Sequence, residues 1–493
     1  LDQPFSLPPL PPLSPAAATS AAPSVASLDN TLANVQPARA GAANSAAVVP
    51  HASPAAAAQS SRSPEVHTAA VASASGAAAA SERAMAATGA NITMDSASGG
   101  GTVNGTVIGN EALSLQAGTA GAVTLDAALG AGTELGQLTI DSGSVSLAAI
   151  TTSAAGAGNG NVSITTRAGG AAGNIAVPGM TVAGSLTLDS SNAGTGAISD
   201  TGSISVTGTT SLSAAGNTII LNDAANDFTG AVGISNSGAN NVQIADANAL
   251  ILGVVSVGTG TLTVNAGGAI TQNGTDTITQ AASASTASFG AGANPITLTN
   301  ANDFTGNVDL SNSGANTVSV TDANDISLGD VGVGTGLLTV EAGGTITDVT
   351  SVTAGGNASF TSNLADANIT LNQLDVAGSI AVNSTGTNGD VTIVEASDLD
   401  FSASGVNGTL TATSTAGTIT DSGTVSVSGG ADFTAVGASA AMTLNQLDVD
   451  GTVTLNAGET APAGGNVLLA NAQALELGTS YVDGTLDASA AAG

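Results

Sequence analysis

The sequence predicts an all-β protein: a right-handed parallel β-helix (a β-solenoid) preceded by a disordered segment rich in proline and alanine. Three observations support this prediction. Side chains are small and rarely aromatic, aliphatic residues alternate with Ser or Thr over short runs, and blocks of sequence recur at a fixed spacing.

The composition suits stacked strands and tight turns better than a globular core. Glycine occupies 65 of the 493 positions, aromatic residues make up 2% of the chain, and charged residues make up 8%. A globular enzyme of this length normally fills its core with large side chains. Small and β-branched residues instead favour narrow sheets joined by many turns.

The charge argues against two classes of partner. The formal net charge is −32, and the only basic residues besides two histidines are Arg39, Arg62, Arg83 and Arg167. Nucleic-acid binding requires cations that neutralise phosphates, so we expect no nucleic-acid partner, and attraction to an anionic membrane surface is disfavoured for the same reason.

No apolar stretch is long enough for a membrane-spanning helix, so we expect no membrane insertion. Cysteine is absent, which excludes disulfides and thiolate metal sites.

Two regions of the chain differ in composition. Residues 1–90 hold most of the prolines, including Pro8-Pro9-Leu10-Pro11-Pro12, and several alanine runs, which predicts a low-complexity disordered segment. Within it, residues 77–87 contain helix-forming residues and predict a short helix. Residues 91–493 are predicted to form the repetitive solenoid.

Short runs with alternating aliphatic residues predict the strands. In residues 185–188, 261–264 and 452–455 the aliphatic residues lie two apart, so they share one face of a strand while Ser or Thr takes the other. The expected core residues include Leu186, Leu188, Leu262, Val264, Leu338 and Val340, and we expect Phe228 and Phe304 to stack at matched positions.

Internal repetition is the strongest feature of the sequence. Residues 226–271 recur as residues 302–347, a shift of 76, and residues 370–376 recur as residues 443–449, a shift of 73. A shift of 76 divides into four units of about 19 residues, close to one turn of a broad β-helix. Some 20 coils stacked at about 4.8 Å would form a rod on the order of 100 Å long. An array of Ig-like sandwich domains with the same period is the main alternative.

The repeat block resembles those of filamentous-haemagglutinin-like exoproteins, the large adhesins of Gram-negative bacteria. The resemblance rests on the NDFTG opening, the SNSGAN turn, the DAN loop and the LTVNAGGAIT strand pair. It implies a right-handed β-helix, export through outer-membrane machinery, and display or release as an adhesive filament. It also implies that the chain is a portion of a longer exoprotein.

Groups able to catalyse reactions near neutral pH are scarce. The only histidines, His51 and His67, lie in the proline-rich segment, so a Ser-His-Asp arrangement in the repeats is excluded. The remaining possibility is a pair of carboxylates in a polysaccharide-cleaving β-helix, for which the candidates are Asp322 with Asp325 and Asp398 with Asp400. Equivalent repeat positions for Asp246 and Asp322 favour turn-forming acids instead.

Metal and ligand motifs are equally weak. The Asp/Asn-rich turn of residues 222–227 offers oxygen ligands that suit weak Ca²⁺ binding, but no EF-hand or calcium nonapeptide is present. The glycine runs at residues 99–101, 266–268 and 342–344 predict coil corners rather than phosphate-binding loops. Thr-x-Thr pairs such as Thr261/Thr263 and Thr345/Thr347 are scattered along the sequence, so we expect no regular threonine face.

The sequence therefore predicts a secreted or surface-displayed structural or adhesive stalk. We expect no catalytic, cofactor or metal site, and no cofactor. The expected partners are host-cell or matrix glycans and proteins. The alternative is a β-helix enzyme that cleaves polysaccharides with paired Asp carboxylates.

Overall fold

A computed structural model describes residues 80–82, 92–95, 101–103, 110–132, 134–155, 158–168, 173–193, 196–437, 440–458 and 465–491, with side chains from residue 110 onward except at residue 193. The chain divides into two compact units, Leu1–Pro64 and Glu65–Gly493. The predicted disordered segment, His51 and His67 lie outside the described residues, apart from residues 80–82. All structural statements below concern the second unit.

The described strands form three parallel sheets. Sheet 1 contains Ala80–Glu82, Ile92–Asp95, Gly101–Val103, Ala112–Leu125, Gln137–Ser146, Val162–Thr166, Leu186–Asp189, Thr210–Ser213, Val232–Ser235, Leu250–Val257, Ile270–Gln272, Ile278–Gln280, Ile296–Asn302, Val318–Asp322, Leu338–Ala342, Ala358–Ala365, Ser379–Thr385, Leu399–Phe401, Ser404–Val406, Ile419–Asp421, Val425–Val427, Met442–Val449, Val467–Asn471 and Leu486–Ala490. Sheet 2 contains Ile175–Val177, Ile198–Asp200, Ile219–Leu221, Val242–Asp246, Leu262–Ala266, Ala287–Gly290, Asn307–Asn312, Ile326–Val333, Ile346–Asp348, Val352–Ala354, Ile369–Val376, Val391–Glu395, Leu410–Ser414, Ala431–Ala435, Thr452–Ala457, Glu476–Leu477 and Tyr481–Val482. Sheet 3 contains Ile150–Thr151, Met180–Val182, Ile204–Val206 and Asp227–Phe228.

The chain winds as a parallel β-solenoid, as predicted, and it makes about 16 turns. From Val232 onward it passes alternately through sheets 1 and 2, whereas the coils between Ile150 and Phe228 also pass through sheet 3. Each strand pairs in parallel with its counterpart one coil further on, as Val242 pairs with Leu262 and Leu262 with Ala287. Parallel pairing between all named strands rules out the Ig-like alternative for this part of the chain, because those sandwiches are antiparallel.

Inward residues from all coils join in one continuous hydrophobic core. The predicted core residues are confirmed, since all six are fully buried: Leu186, Leu188, Leu262, Val264, Leu338 and Val340. A single coil could not bury these side chains alone, so stacking of coils is what stabilises each one.

The predicted coil length is wrong, because the coils are longer than one quarter of the repeat. Val318 pairs with Leu338, Leu338 with Ala358 and Ala358 with Ile380, so each step already exceeds the expected coil. The step from Ile270 to its partner Ile296 is longer still. The solenoid accordingly has about 16 turns instead of the larger number expected.

The 76-residue repeat spans three and a half coils, and this half coil has a structural consequence. Leu262 lies in sheet 2, whereas its equivalent Leu338 lies in sheet 1; Val232 and Val308 exchange sheets in the opposite sense. The 73-residue echo behaves in the same way, because Ile369–Val376 belongs to sheet 2 and Met442–Val449 to sheet 1. Successive repeats therefore build equivalent strands in different sheets around the same core.

Two local predictions are corrected. Phe228 and Phe304 are buried but do not stack on each other; Phe304 packs edge-on against Phe289, with ring centroids 5.9 Å apart. Ala80–Glu82, inside the predicted helix, is a strand paired with Gly101–Val103. The predicted boundary between residues 90 and 91 stays a prediction.

Corner glycines are required by close stacking of coils. Gly267 and Gly343 lie at bends between strands, as predicted for coil corners, and neither adopts a positive φ. A Cβ atom at these positions would lie 2.2 Å and 2.0 Å from the carbonyl oxygens of Ala247 and Ala323 in the preceding coil. Glycine is needed here because the backbones approach too closely for any side chain.

Candidate functional site

Asp246 and Asp322 occupy equivalent buried corners, at the ends of strands on opposite sheets. The backbone N–H of Phe304 donates to Oδ2 of Asp322 and that of Asn324 to Oδ1, both at 2.8 Å. Asp246 accepts the corresponding bonds from Phe228 (2.8 Å) and Asn248 (2.7 Å). Each carboxylate thus joins two coils and closes its own turn, as the repeat position had indicated.

Burial raises the pKa of both carboxyl groups. For Asp322 the pKa reaches about 6, because desolvation and the nearby acids Asp303 and Asp325 outweigh the two N–H bonds. The pKa of Asp246 is also raised by burial, with a repulsive contribution from Asp227. A raised pKa at a structural corner reflects burial and does not by itself indicate catalysis.

The other three carboxylates of the predicted catalytic pairs accept hydrogen bonds from the next coil. Oδ1 of Asp325 accepts the N–H of Thr345 at 2.7 Å, and Oδ1 of Asp398 accepts both the N–H (2.7 Å) and the hydroxyl (3.0 Å) of Thr418. Asp400 accepts the hydroxyls of Thr420 (2.9 Å) and Ser422 (2.8 Å). These acids are tied into the coil stack.

Asp325 also lines a shallow groove of about 370 Å³ with Asp303, Phe304, Asn324 and Thr347. The groove holds the two carboxylates of Asp303 and Asp325 and no basic residue. Asp398 and Asp400 do not line it, so the two predicted pairs do not converge on one site.

An Asx residue placed just before a strand recurs as a connection between coils. Its side-chain oxygen accepts the N–H of the residue just before the next coil's strand, at 2.7–3.4 Å. The members of this series are Asn161, Asn174, Asn241, Asp325, Asn357, Asn368, Asp390, Asp398 and Asn466. Each satisfies a backbone donor at a corner where the strand ladder is interrupted.

Sequence reasoning missed two other acids that connect coils, Asp348 and Asp421. Each accepts two consecutive backbone N–H groups where a strand of the next coil has a β-bulge. Asp348 accepts the N–H groups of Asn372 (2.9 Å) and Gln373 (2.8 Å), where a strand of sheet 2 bends around a corner. Asp421 does the same for Asn445 and Gln446 in sheet 1. The signal was present in the Leu-Asn-Gln-Leu-Asp-Val echo, because an acid precedes its Asn by the same interval in both copies.

Glu395 ends a strand at the buried corner that is equivalent to the corners of Asp246 and Asp322. It is fully buried, and its Oε1 accepts the N–H of Val376 at 3.0 Å, while Oε2 has no hydrogen-bond partner. Burial raises the pKa of Glu395, and Asp375 adds repulsion. One oxygen of this carboxyl is therefore desolvated without compensation.

The turn of residues 222–227, predicted as a weak calcium site, is held by its own bonds. Buried Asn226 donates to Oδ2 of Asp200 (2.7 Å) and accepts the N–H of Ile204 (2.8 Å), while Asp223 accepts the N–H of Ala225 (2.9 Å). Within the described residues no group of three or more His, Cys, Asp or Glu side chains is arranged to hold a metal ion. Weak calcium binding stays a prediction.

The outward faces of the strands carry hydroxyl groups in register, contrary to the scattered sequence pattern. On sheet 2, Thr347, Thr370, Thr392 and Thr411 are partners on successive coils, and on sheet 1 Thr297, Ser319, Thr339 and Ser359 are. Pairing between coils aligns residues that the sequence separates by a whole coil.

No helix in the described part of the chain is long and apolar enough to cross a membrane. The one described helix is the single 3₁₀ turn Ser191–Ala193.

Together these features define a repeat solenoid in which many of the acids connect neighbouring coils. The chain belongs to the family of repeats of unknown function DUF5649, which matches residues 159–235, 239–311, 315–387 and 388–456, more than half of the chain. No curated protein and no solved structure matches it.

The family repeat coincides with the three-and-a-half-coil unit. Each matched segment begins just before a strand, at Val162, Val242, Val318 and Val391, and these four strands lie alternately in sheets 1, 2, 1 and 2. Every repeat then places four successive strands in that sheet.

Proposed function

We propose that this protein is a secreted or surface-displayed structural and adhesive stalk that presents binding surfaces for attachment to cells, matrix or glycans. The observation that carries the proposal is the uninterrupted ladder of sheet 2, in which parallel partners follow from Ile175 to Leu477 with one hydrophobic core beneath them. Such a stack gains stiffness from every added coil.

The resemblance of residues 226–271 and 302–347 to filamentous-haemagglutinin-like exoproteins supports export across an outer membrane and an adhesive role. The net charge of −32 supports an exposed, self-repelling chain that stays soluble. Proteins, uncharged glycans, and neutral or positively charged surfaces are compatible with this charge.

The enzyme alternative gains no support from the acids on which it was based. Asp322 is buried and holds two backbone N–H groups, and Asp325 and Asp398 hold the next coil. A catalytic carboxylate pair needs both groups open to substrate at a defined separation.

The proposal is tested by coupling the full chain to beads and measuring bead attachment to epithelial cells and to a glycan array. We expect saturable attachment that survives the isosteric changes Asp325→Asn and Asp398→Asn. A variant without residues 239–314, which removes one repeat and rejoins equivalent positions, should attach less in proportion to its length. Absence of attachment to any surface would contradict the adhesive role. Release of sugar fragments that Asp325→Asn abolishes would instead support the enzyme alternative.

A further inference from the structure

Each repeat places four successive strands in one sheet, and we call the outward side chains of these four strands a platform. The first platform lies on Val162–Thr166, Leu186–Asp189, Thr210–Ser213 and Val232–Ser235, and the second on Val242–Asp246, Leu262–Ala266, Ala287–Gly290 and Asn307–Asn312. The third lies on Val318–Asp322, Leu338–Ala342, Ala358–Ala365 and Ser379–Thr385, and the fourth on Val391–Glu395, Leu410–Ser414, Ala431–Ala435 and Thr452–Ala457.

The platforms are chemically alike. Their outward residues are mostly Ser, Thr, Asn, Ala and Gly, all half-buried or exposed. Each platform holds one acid and no base; the acids are Asp189, Asp309, Glu341 and Asp432. Because of the half coil, platforms one and three lie in sheet 1, and platforms two and four lie in sheet 2.

We infer that the platforms are lateral contact surfaces between copies of this chain. A partner that follows a platform from coil to coil must itself repeat every ~4.8 Å, which is the spacing of the strands. A second copy of the same solenoid has that repeat by construction, so Thr and Ser methyl, methylene and hydroxyl groups can interdigitate over several coils at once, as faces do in stacked sheets.

The hydroxyls of the fourth platform are available for such contacts. Within the described chain, no side-chain hydrogen bond joins Thr392, Thr411, Thr413 or Thr434 to another residue. These hydroxyls can therefore bond to a neighbouring copy without breaking a bond inside the chain. In the monomer, water molecules form hydrogen bonds of similar enthalpy with these hydroxyls. Each hydrogen bond between copies therefore adds little to the free energy of association.

Area and charge set the strength of the contact. Four strands of about five residues cover roughly 300 Å², so two platforms on one side supply roughly 600 Å² per copy, the lower end of specific interfaces. One acid on each platform adds like-charge repulsion. Association is therefore weak, and it strengthens with salt because salt screens that repulsion.

The alternation of sides sets the form of the assembly. Each copy has platforms in two different sheets, so it can contact one neighbour through each sheet. Because two different surfaces of one copy take part, the contacts can continue from copy to copy as an open lateral array rather than ending in a closed dimer. Adhesion is not required for this assembly, which could occur in a purely structural protein.

Sedimentation velocity on the full chain, over a wide range of protein and NaCl concentrations, tests the inference. We expect reversible association that increases with both. The double change Thr339→Asp and Thr411→Asp adds a second acid to platforms three and four and should weaken association about tenfold or more. The matched control is Thr259→Asp with Thr335→Asp, two exposed corner threonines outside the platforms.

Removal of the platform acids, by Glu341→Gln with Asp432→Asn, should strengthen association at low salt. Circular dichroism and melting temperature confirm that each variant is folded. A chain that remains monomeric at all concentrations and salts would overturn the inference. So would equal weakening by the platform and corner variants, because association would then depend on net charge or on another part of the chain.

Discussion

The corner at Asp246 and the one at Asp322 end strands of different sheets, yet they are built from the same bonds. In both, a buried aspartate accepts two backbone N–H groups at 2.7–2.8 Å. They differ at one exposed neighbour, since Ala249 in the first copy corresponds to Asp325 in the second. Burial is the main cause of the raised pKa of both carboxyl groups. The pKa of Asp322 reaches about 6, with added repulsion from Asp303 and Asp325, whereas at Asp246 the added repulsion comes from Asp227.

The bonds shared by the two corners show that each repeat supplies the contacts that its own corner needs. The local corner depends on contacts with the coils before and after, which are themselves repeats, and not on which sheet the strand joins. The fourth repeat extends the comparison, because Glu395 has a longer side chain in the same corner and leaves one oxygen without a partner.

The largest expected effect comes from a charge in the core on either side. Leu262→Asp and Leu338→Asp each place a carboxylate at a fully buried position and should lower the free energy of unfolding by more than about 4 kcal/mol. Chemical denaturation should show equal losses for the two, because the sites are equivalent. The outward change Thr339→Asp is the control, with an expected loss below about 1 kcal/mol. Clearly unequal losses would break the equivalence of the two sides.

The next effect separates the two aspartates. Asp246→Asn and Asp322→Asn each turn an amide NH₂ toward a backbone N–H, and we expect a cost of about 1–3 kcal/mol from the lost bond. At neutral pH the loss should be smaller for Asp322→Asn, since that change also removes a carboxylate destabilised by its acidic neighbours. Denaturation at pH 7.5 measures both. A larger loss for Asp322→Asn would mean that its charge stabilises the corner.

The stability of the protein should depend on pH through the same corner. The folded pKa of Asp322 lies above the unfolded value, so its stabilising contribution is complete below about pH 4 and is lost as the pH rises through about 6. That loss amounts to roughly 3 kcal/mol at most, and burial shifts the pKa values of Asp246, Glu395 and Asp421 in the same direction. The melting temperature should therefore be higher at pH 5 than at pH 7.5.

Asp325→Asn is the specific test of this pH dependence. It retains the oxygen that accepts the N–H of Thr345 but removes the charge beside Asp322. The melting temperature of this variant should vary less with pH than that of the parent, while Asp398→Asn, which also retains its acceptor, serves as the control. Identical pH profiles for all three proteins would show that Asp325 does not influence Asp322.

The smallest effect is expected at Glu395. Glu395→Gln keeps the acceptor for Val376 and removes a buried carboxyl oxygen without a partner, so it should be neutral or stabilising by about 1 kcal/mol at pH 7.5. Its advantage should disappear at acid pH, where Glu395 is protonated. A marked destabilisation in thermal unfolding would indicate that Oε2 binds a partner such as an ordered water.

The sequence by itself determined the class of fold, the strands and the core. Alternation in residues such as Leu262-Thr263-Val264 specifies which side chains face inward, because a strand has a period of two whatever surrounds it. The recurrence of residues 226–271 as residues 302–347 revealed the repeat, and the equivalence of Asp246 and Asp322 correctly indicated turn-forming acids.

Only the tertiary structure decided how the repeats are arranged. Sequence periodicity records that a unit recurs but not which strands hydrogen-bond, and coil length is a property of that long-range pairing. The assumption of four whole coils therefore failed, and with it the expectation that Phe228 and Phe304 would stack. The same pairing aligns threonines that lie a whole coil apart in the sequence and gives Asp325 and Asp398 their partners in the next coil, which no local pattern could reveal.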